Sequence, residues 1–118
     1  MTRTILAGKR WFRGSSWFNR TGRNTRWSTQ EELADDGFVD LPAVGTSGGF
    51  GFSMLGNNEE YALFSFTSAG VVTLIQNSTN VTNADTDANF NIFASNSVVR
   101  FKNRLGADKK LFTMVWCS

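Results

Sequence analysis

Four oxygen-bearing side chains at alternate positions, Asn83, Asp85, Asp87 and Asn89, form the pattern in this chain nearest to a chemical site. Calcium loops use such alternation because the hard cation takes six or more oxygens from one short segment. The run lacks glycine at the loop's sixth position and a bidentate glutamate at its twelfth. An Asx-rich, solvated loop is therefore the favoured reading, and no metal or other cofactor is assigned. The carboxylate pairs Glu31-Glu32, Asp35-Asp36 and Glu59-Glu60 are adjacent in sequence, which splays side chains apart in strands and turns. A two-carboxylate hydrolase would have to bring its acids together from distant strands. No histidine is present, which removes the usual general base, the usual zinc ligand and every Ser-His or Cys-His nucleophile pair. The single thiol, Cys117, sits beside Val115 and Trp116 and reads as a small packed hydrophobe. The expectation is a protein that is not an enzyme.

A different chemistry is written at the N-terminus. Residues 1–27 hold seven cations and no acid, leaving −5 for the remainder of a chain whose net charge is +2. The same segment interleaves aromatics with arginines: Trp11-Phe12 recurs as Trp17-Phe18, and Trp27 follows. Arginine and tryptophan dominate protein interfaces, where they supply bidentate pairing and large buried contacts. The candidate assembly interface is therefore Arg10, Trp11, Phe12, Arg13, Trp17, Phe18, Arg20, Arg23, Arg26 and Trp27. Guanidinium groups on phosphate with stacking rings would equally suit nucleic acid. No RNA-binding signature accompanies the segment, so nucleic acid is the disfavoured alternative.

The elements that must position these residues are mostly strands. Trp27, Ser28, Glu31 and Leu33 resemble a capped helix start with its hydrophobic staple, and Gly37 could end it, which predicts about two turns over 28–36. From Gly37 onward apolar residues alternate and each run closes on Gly, Asn, Ser or Asp. Phe50, Phe52 and Met54 share one face, and Ala62, Phe64 and Phe66 share the next. Val71 to Ile75 is a β-branched run suited to a central strand buried on both sides. A polar stretch from Gln76 to Asn89 leads to Phe90–Ala94, Val98–Lys102 and a last strand, Leu111–Cys117. Six or seven strands near ten-residue spacing predict an all-β chain, a single antiparallel β-sandwich or jelly-roll-like domain with an extended N-terminal arm and one short helix. The arm spans 1–27 and the sandwich domain 28–118.

Length and composition agree with one domain: 118 residues, 41% hydrophobic and 14% aromatic, with 11 Phe and 4 Trp. No run of about 18 apolar residues is present and Ile5-Leu6-Ala7 runs into Gly8 and Lys9, so neither membrane insertion nor secretion is expected. One cysteine cannot close an intrachain disulfide, which leaves packing or oligomerisation to supply stability.

The second half carries a resemblance. Gly70-Val71-Val72-Thr73-Leu74-Ile75, Thr79-Asn80-Val81, Asp85-Thr86-Asp87 and the run from Val98 through Asn103-Arg104-Leu105-Gly106 to a closing aromatic strand resemble small β-sandwich modules of tailed-bacteriophage virion proteins. Over about residues 48–118 the resemblance implies a structural protein of the particle, made in the host cytoplasm and resident in the virion, often trimeric. Its place would be on a tail fibre, spike or capsid, with capsid or tail proteins as partners and host surface glycan as a further contact. Modules of that kind usually end much longer chains. A separate small component, such as a capsid decoration, head-spike or tail accessory protein, is therefore expected, with a receptor- or carbohydrate-binding tip as the alternative.

Overall fold

Alternation of apolar and polar residues governs the structure almost throughout. The computed structural model describes residues 15–21, 24–42, 48–57 and 59–117, with side chains from residue 26 onward. Among these residues there is no helix, and ten strands follow in chain order. They are β1 (Ser15–Thr21), β2 (Asn24–Leu33), β3 (Phe38–Asp40), β4 (Gly48–Leu55), β5 (Glu60–Thr67), β6 (Val72–Asn77), β7 (Val81–Thr82), β8 (Phe90–Ser95), β9 (Val98–Asn103) and β10 (Lys109–Cys117). Six form one sheet in the order β1-β2-β10-β4-β5-β6, and four form a second in the order β3-β9-β8-β7. All pairings are antiparallel except the short parallel pair β7 and β8.

Aromatic rings join the two sheets. Phe101 of β9 stacks on Trp27 of β2 at 6.0 Å between centroids and meets Phe64 of β5 edge-on at 5.7 Å. Leu55, Ile92, Val99, Leu111 and Val115 complete a dry interior, in which each large side chain contributes about 1.5–3 kcal/mol of transfer free energy. Gly51 makes room for one of these rings. A Cβ there would lie 2.8 Å from Phe64 Cζ and 2.9 Å from Val115 Cγ2, so any larger residue would push the phenyl ring off the strand. Polar groups on the inner faces are paired, as burial demands. Ser53 and Thr113 share a hydrogen bond at 2.7 Å across β4 and β10.

Asn103 ties two connections together at one end of the fold. Its Nδ2 donates to the carbonyls of Leu33, Ala34 and Ala107, and its Oδ1 accepts from the Leu105 amide. Its backbone carbonyl accepts from Asp36 N while its own N–H donates to Gly37 O. At the other end, Asn96 and Ser97 both adopt positive φ, the signature of a two-residue type I′ turn between β8 and β9.

Two expectations are corrected. The helix predicted over 28–36 is instead the second half of β2, followed by a turn at Asp35-Asp36. Trp27 and Leu33 are six apart, an even spacing that also places both on one face of a strand, and both are core residues. Pairing with β1 on one side and β10 on the other outweighs a local capping signal. Glu31, read as the capping-box acid, accepts a hydrogen bond from Thr29 Oγ1 on the same face of β2. The Val71–Ile75 run is not central: among the described residues β6 pairs only with β5 and forms a sheet edge, where Ile75 is 60% exposed. Val72 enters the core and Leu74 packs against it, so only one side of the run is buried. Asn83 Nδ2 donates to Val72 O and covers part of that edge, a device that discourages further strand addition.

Candidate functional site

Each sheet turns one face to the common core and the other outward, and the two outer faces differ in chemistry. On the four-stranded sheet, Asp40 and Arg100 are cross-strand partners joined at 2.8 and 3.1 Å, with the guanidinium carbon 3.6 Å from the centre of the Phe38 ring. The hydrogen bond to Asp40 holds the Arg100 guanidinium above its ordinary range, against the opposing effect of burial. Lys102 reaches Asp85 at 3.2 Å. Arg104 gathers Asp36, Asp85 and Asp87 within 3.3 to 3.6 Å. Burial pulls the Arg104 guanidinium down, and the three carboxylates together outweigh it and raise it. This face supplies its own counter-charges.

The six-stranded sheet presents an apolar outer face. Along β4, Gly51, Ser53 and Leu55 point inward, which sends Phe50, Phe52 and Met54 out. Along β10, Leu111, Thr113 and Val115 point inward, which sends Phe112, Met114 and Trp116 out. On β5 the outward positions include Tyr61 and Leu63. Register sets these in rows across the strands: Arg26, Trp116, Phe50 and Ser65; then Ser28, Met114, Phe52 and Leu63; then Gln30, Phe112, Met54 and Tyr61; and finally Glu32 with Lys110. Phe50 and Trp116 stack at 5.4 Å with planes 21° apart, yet remain 54% and 38% exposed. With strands about 4.8 Å apart and a rise of about 3.4 Å per residue, the four strands from β2 to β5 give roughly 450 Å² in projection. Eight of the fourteen side chains in these rows are apolar or aromatic and adjoin one another, with Phe50, Leu63 and Trp116 the most exposed, and the largest apolar patch on an ordinary monomer is often a functional surface.

The sequence-predicted interface residues fall in three groups. Arg10, Trp11, Phe12, Arg13 and Arg23 lie outside the described residues. Trp17, Phe18 and Arg20 belong to β1, where backbone register sets Trp17 opposite Ser28 and Phe18 opposite Trp27. Arg26 and Trp27 lie in β2; Arg26 takes the first outer row, while the Trp27 side chain is 2% exposed in the core. The charge boundary at residue 27 thus passes through the interior of a strand.

The alternating run from Asn83 to Asn89 does not converge its oxygens. Asp85 and Asp87 face Arg104, and the Asn83 and Asn89 carboxamides use Nδ2 to donate to Val72 O and Asp87 O. Among the described residues no group of three or more Cys, Asp or Glu side chains is placed to hold a metal ion. Cys117 is buried, which pushes its thiol up in pKa and away from reactivity. No described helix is long and apolar enough to cross a membrane.

Comparison with protein-family models, curated proteins and solved structures finds no match. The outer aromatic face therefore rests on geometry alone. Phe112, Met114, Trp116 and Leu63 were not singled out by sequence reasoning. The available signal was Leu111–Cys117, where apolar residues occupy both alternating sets, as in a strand buried on two sides.

Proposed function

We propose that this chain is a non-enzymatic structural protein that joins protein surfaces, with the outer face of the six-stranded sheet as its oligomerisation surface. The basic aromatic N-terminal segment is its anchor to an acidic neighbour. The observation that carries the reading is the stacked, exposed Phe50–Trp116 pair at the head of a continuous apolar face, opposite a sheet whose own outer face is charge-paired. Large apolar faces are stable in water when a partner covers them. The two sheets are read as a β-sandwich of jelly-roll kind. The setting, a tailed-bacteriophage virion with the chain as capsid decoration, head-spike or tail accessory component, is supported by the sequence resemblance alone.

Hydroxyl-radical footprinting of the full chain tests the reading. Protection of Met54, Met114 and Trp116 that grows with protein concentration is the expected result. Labelling that stays constant with concentration would overturn it. Truncation tests of the anchor belong at residue 14 rather than residue 27, since β1 begins at Ser15 and a cut at 27 would halve β2.

The stacked ring pair also favours one second reading, a sugar-binding platform on which pyranose faces lie against Trp116 and Phe50. Glycan-array binding that disappears in Trp116→Ala, with footprints unchanged by protein concentration, would put it in first place.

A further inference from the structure

The connection from β7 to β8 lies over the outer face of the four-stranded sheet, and different forces hold its ends and its middle. Val81 and Phe90 are partners in the parallel pair and both lie in the core, so the ends are fixed. Asn83 Nδ2 donates to Val72 O, and Asn89 O accepts from the Arg104 amide, which fixes the flanks as well. Residues 84–88 between them are exposed throughout. Asn91, which β8 turns outward beside Lys102, is nevertheless 0% exposed under this segment. We infer that residues 84–88 form a latch over the outer face of β8 and β9, held shut by Asp85 and opened by ionic strength while both sheets stay intact. The latch is a property of the fold separate from the proposed oligomerisation surface.

Among the described residues the contacts that hold the segment down are polar. Asp85 reaches Lys102 at 3.2 Å and Arg104 at 3.3 Å, and Asp87 reaches Arg104 at 3.6 Å. The Asn91 carboxamide donates to Thr86 O at 2.9 Å. The Thr82 hydroxyl lies 2.8 Å from Ala84 O and 2.6 Å from Asn91 Oδ1, and its one proton serves only one of these acceptors at a time. Ala84 and Ala88 are exposed and add nothing to the core. Opening therefore gives up no hydrophobic burial by these residues, and water takes over the hydrogen bonds that are released. Ala88 sits at φ 64°, in the left-handed region that a Cβ disfavours, and that strain is relieved when the segment opens.

What keeps the latch shut is the carboxylate of Asp85 between two cations. Ion pairs of partly exposed side chains are weak and are screened by salt. Segments held in this way open locally at a free energy well below that of global unfolding. The state of the latch also sets the charge of the face. Closed, Lys102 is neutralised by Asp85; open, Lys102 and the Asn91 carboxamide meet solvent as donors without a counter-charge, while Arg104 keeps Asp36.

Nuclear magnetic resonance of the 15N-labelled full chain, at one pH and one protein concentration, is the test. Solvent exchange of the Asn91 Nδ2 protons, normalised to the exposed carboxamide of Asn96, reads the open fraction. The backbone amides of Phe101 and Val115, in strands paired on both sides, read global unfolding. Raising sodium chloride from about 0.02 M to about 0.5 M should speed the Asn91 exchange about fivefold and leave the two reference amides within about twofold. Asp85→Asn should show the fast exchange already at low salt and lose the salt response. Asp40→Asn, which removes a carboxylate that pairs with Arg100 outside the latch, should keep the response of the parent. Exchange in the parent that is indifferent to salt overturns the inference, and that result does not depend on any variant folding. Exchange at Asn91 that tracks Phe101 and Val115 overturns it too, since the segment would then open only with the whole fold. A salt response that survives in a folded Asp85→Asn overturns the role of Asp85 as the lock.

Discussion

The two outer faces of this molecule are built from the same alternation and reach opposite ends. On β9 the outward positions include Arg100 and Lys102, and each finds a carboxylate on a neighbouring element. On β10 they hold Phe112, Met114 and Trp116, and the neighbours in register are Met54, Phe52 and Phe50. The first face satisfies its own charges beside a half-exposed Phe38, whereas the second is mostly apolar and gains about 25 cal/mol for each Å² of hydrocarbon removed from water. The contrast separates residues that hold the fold together from residues that would hold copies together, and that separation can be measured.

The largest effects belong to the interior that both faces share. Phe101 touches Trp27 and Phe64 from the opposite sheet, so Phe101→Ala should cost about 3–5 kcal/mol, read as a lower denaturant midpoint. If the loss is under about 1 kcal/mol, the sheets are not joined through that ring. Asn103→Ala comes next. It strips donors from three backbone carbonyls and an acceptor from one amide, and should cost about 2–3 kcal/mol. Proteolysis should then become faster in the connections around Asp36 and Ala107, which Asn103 pins together.

Legibility in the sequence followed how local each signal was. β4, β5, β8 and β9 were readable because their alternation and closing turns lie within ten residues, β10 because an unbroken apolar run follows the break at Gly106, and the Asn96-Ser97 turn because its signal is equally local. β2 was misread because its capping-like residues are local while the pairing that makes it a strand comes from β10, about 80 residues further along. The position of β6 was misread because β-branched content reports a strand and says nothing about how many neighbours it has. The candidate face was half legible. Phe50, Phe52 and Met54 could be assigned to one side of a strand, but alternation alone cannot say which side meets the core. Gly51 and Ser53 held the clue, since a small inner face leaves space for Phe64 from the adjacent strand.

Adjacent residues at the end of β10 sharpen the division between fold and surface. Cys117 points inward and Trp116 outward. Burial raises the Cys117 thiol in the folded state, so its contribution to stability is fully present below the ordinary thiol value and is lost as pH climbs above it toward the folded value. The stability advantage of the parent over Cys117→Ala should therefore shrink between pH 7 and pH 9.5, by at most about 1.4 kcal/mol. Trp116→Ser should show no such pH dependence and should lower association in its place. A pH-independent difference for Cys117→Ala would mean that the thiol is open to solvent.

The smallest effect tests the charged outer face directly. Asp40→Asn removes one half of the Arg100 pair, and because both side chains are partly exposed the loss should be about 0.5 kcal/mol at low salt. Added sodium chloride screens the pair in the parent protein, so the difference should fall toward zero near 1 M, where the Debye length is about 3 Å. The apolar face should respond in the opposite sense, since excluded salts strengthen the burial of hydrocarbon. Ammonium sulfate should tighten self-association while the Asp40→Asn difference vanishes. Weakening of both by salt would mean that charge holds the copies together, and the distinction between the two faces would fail.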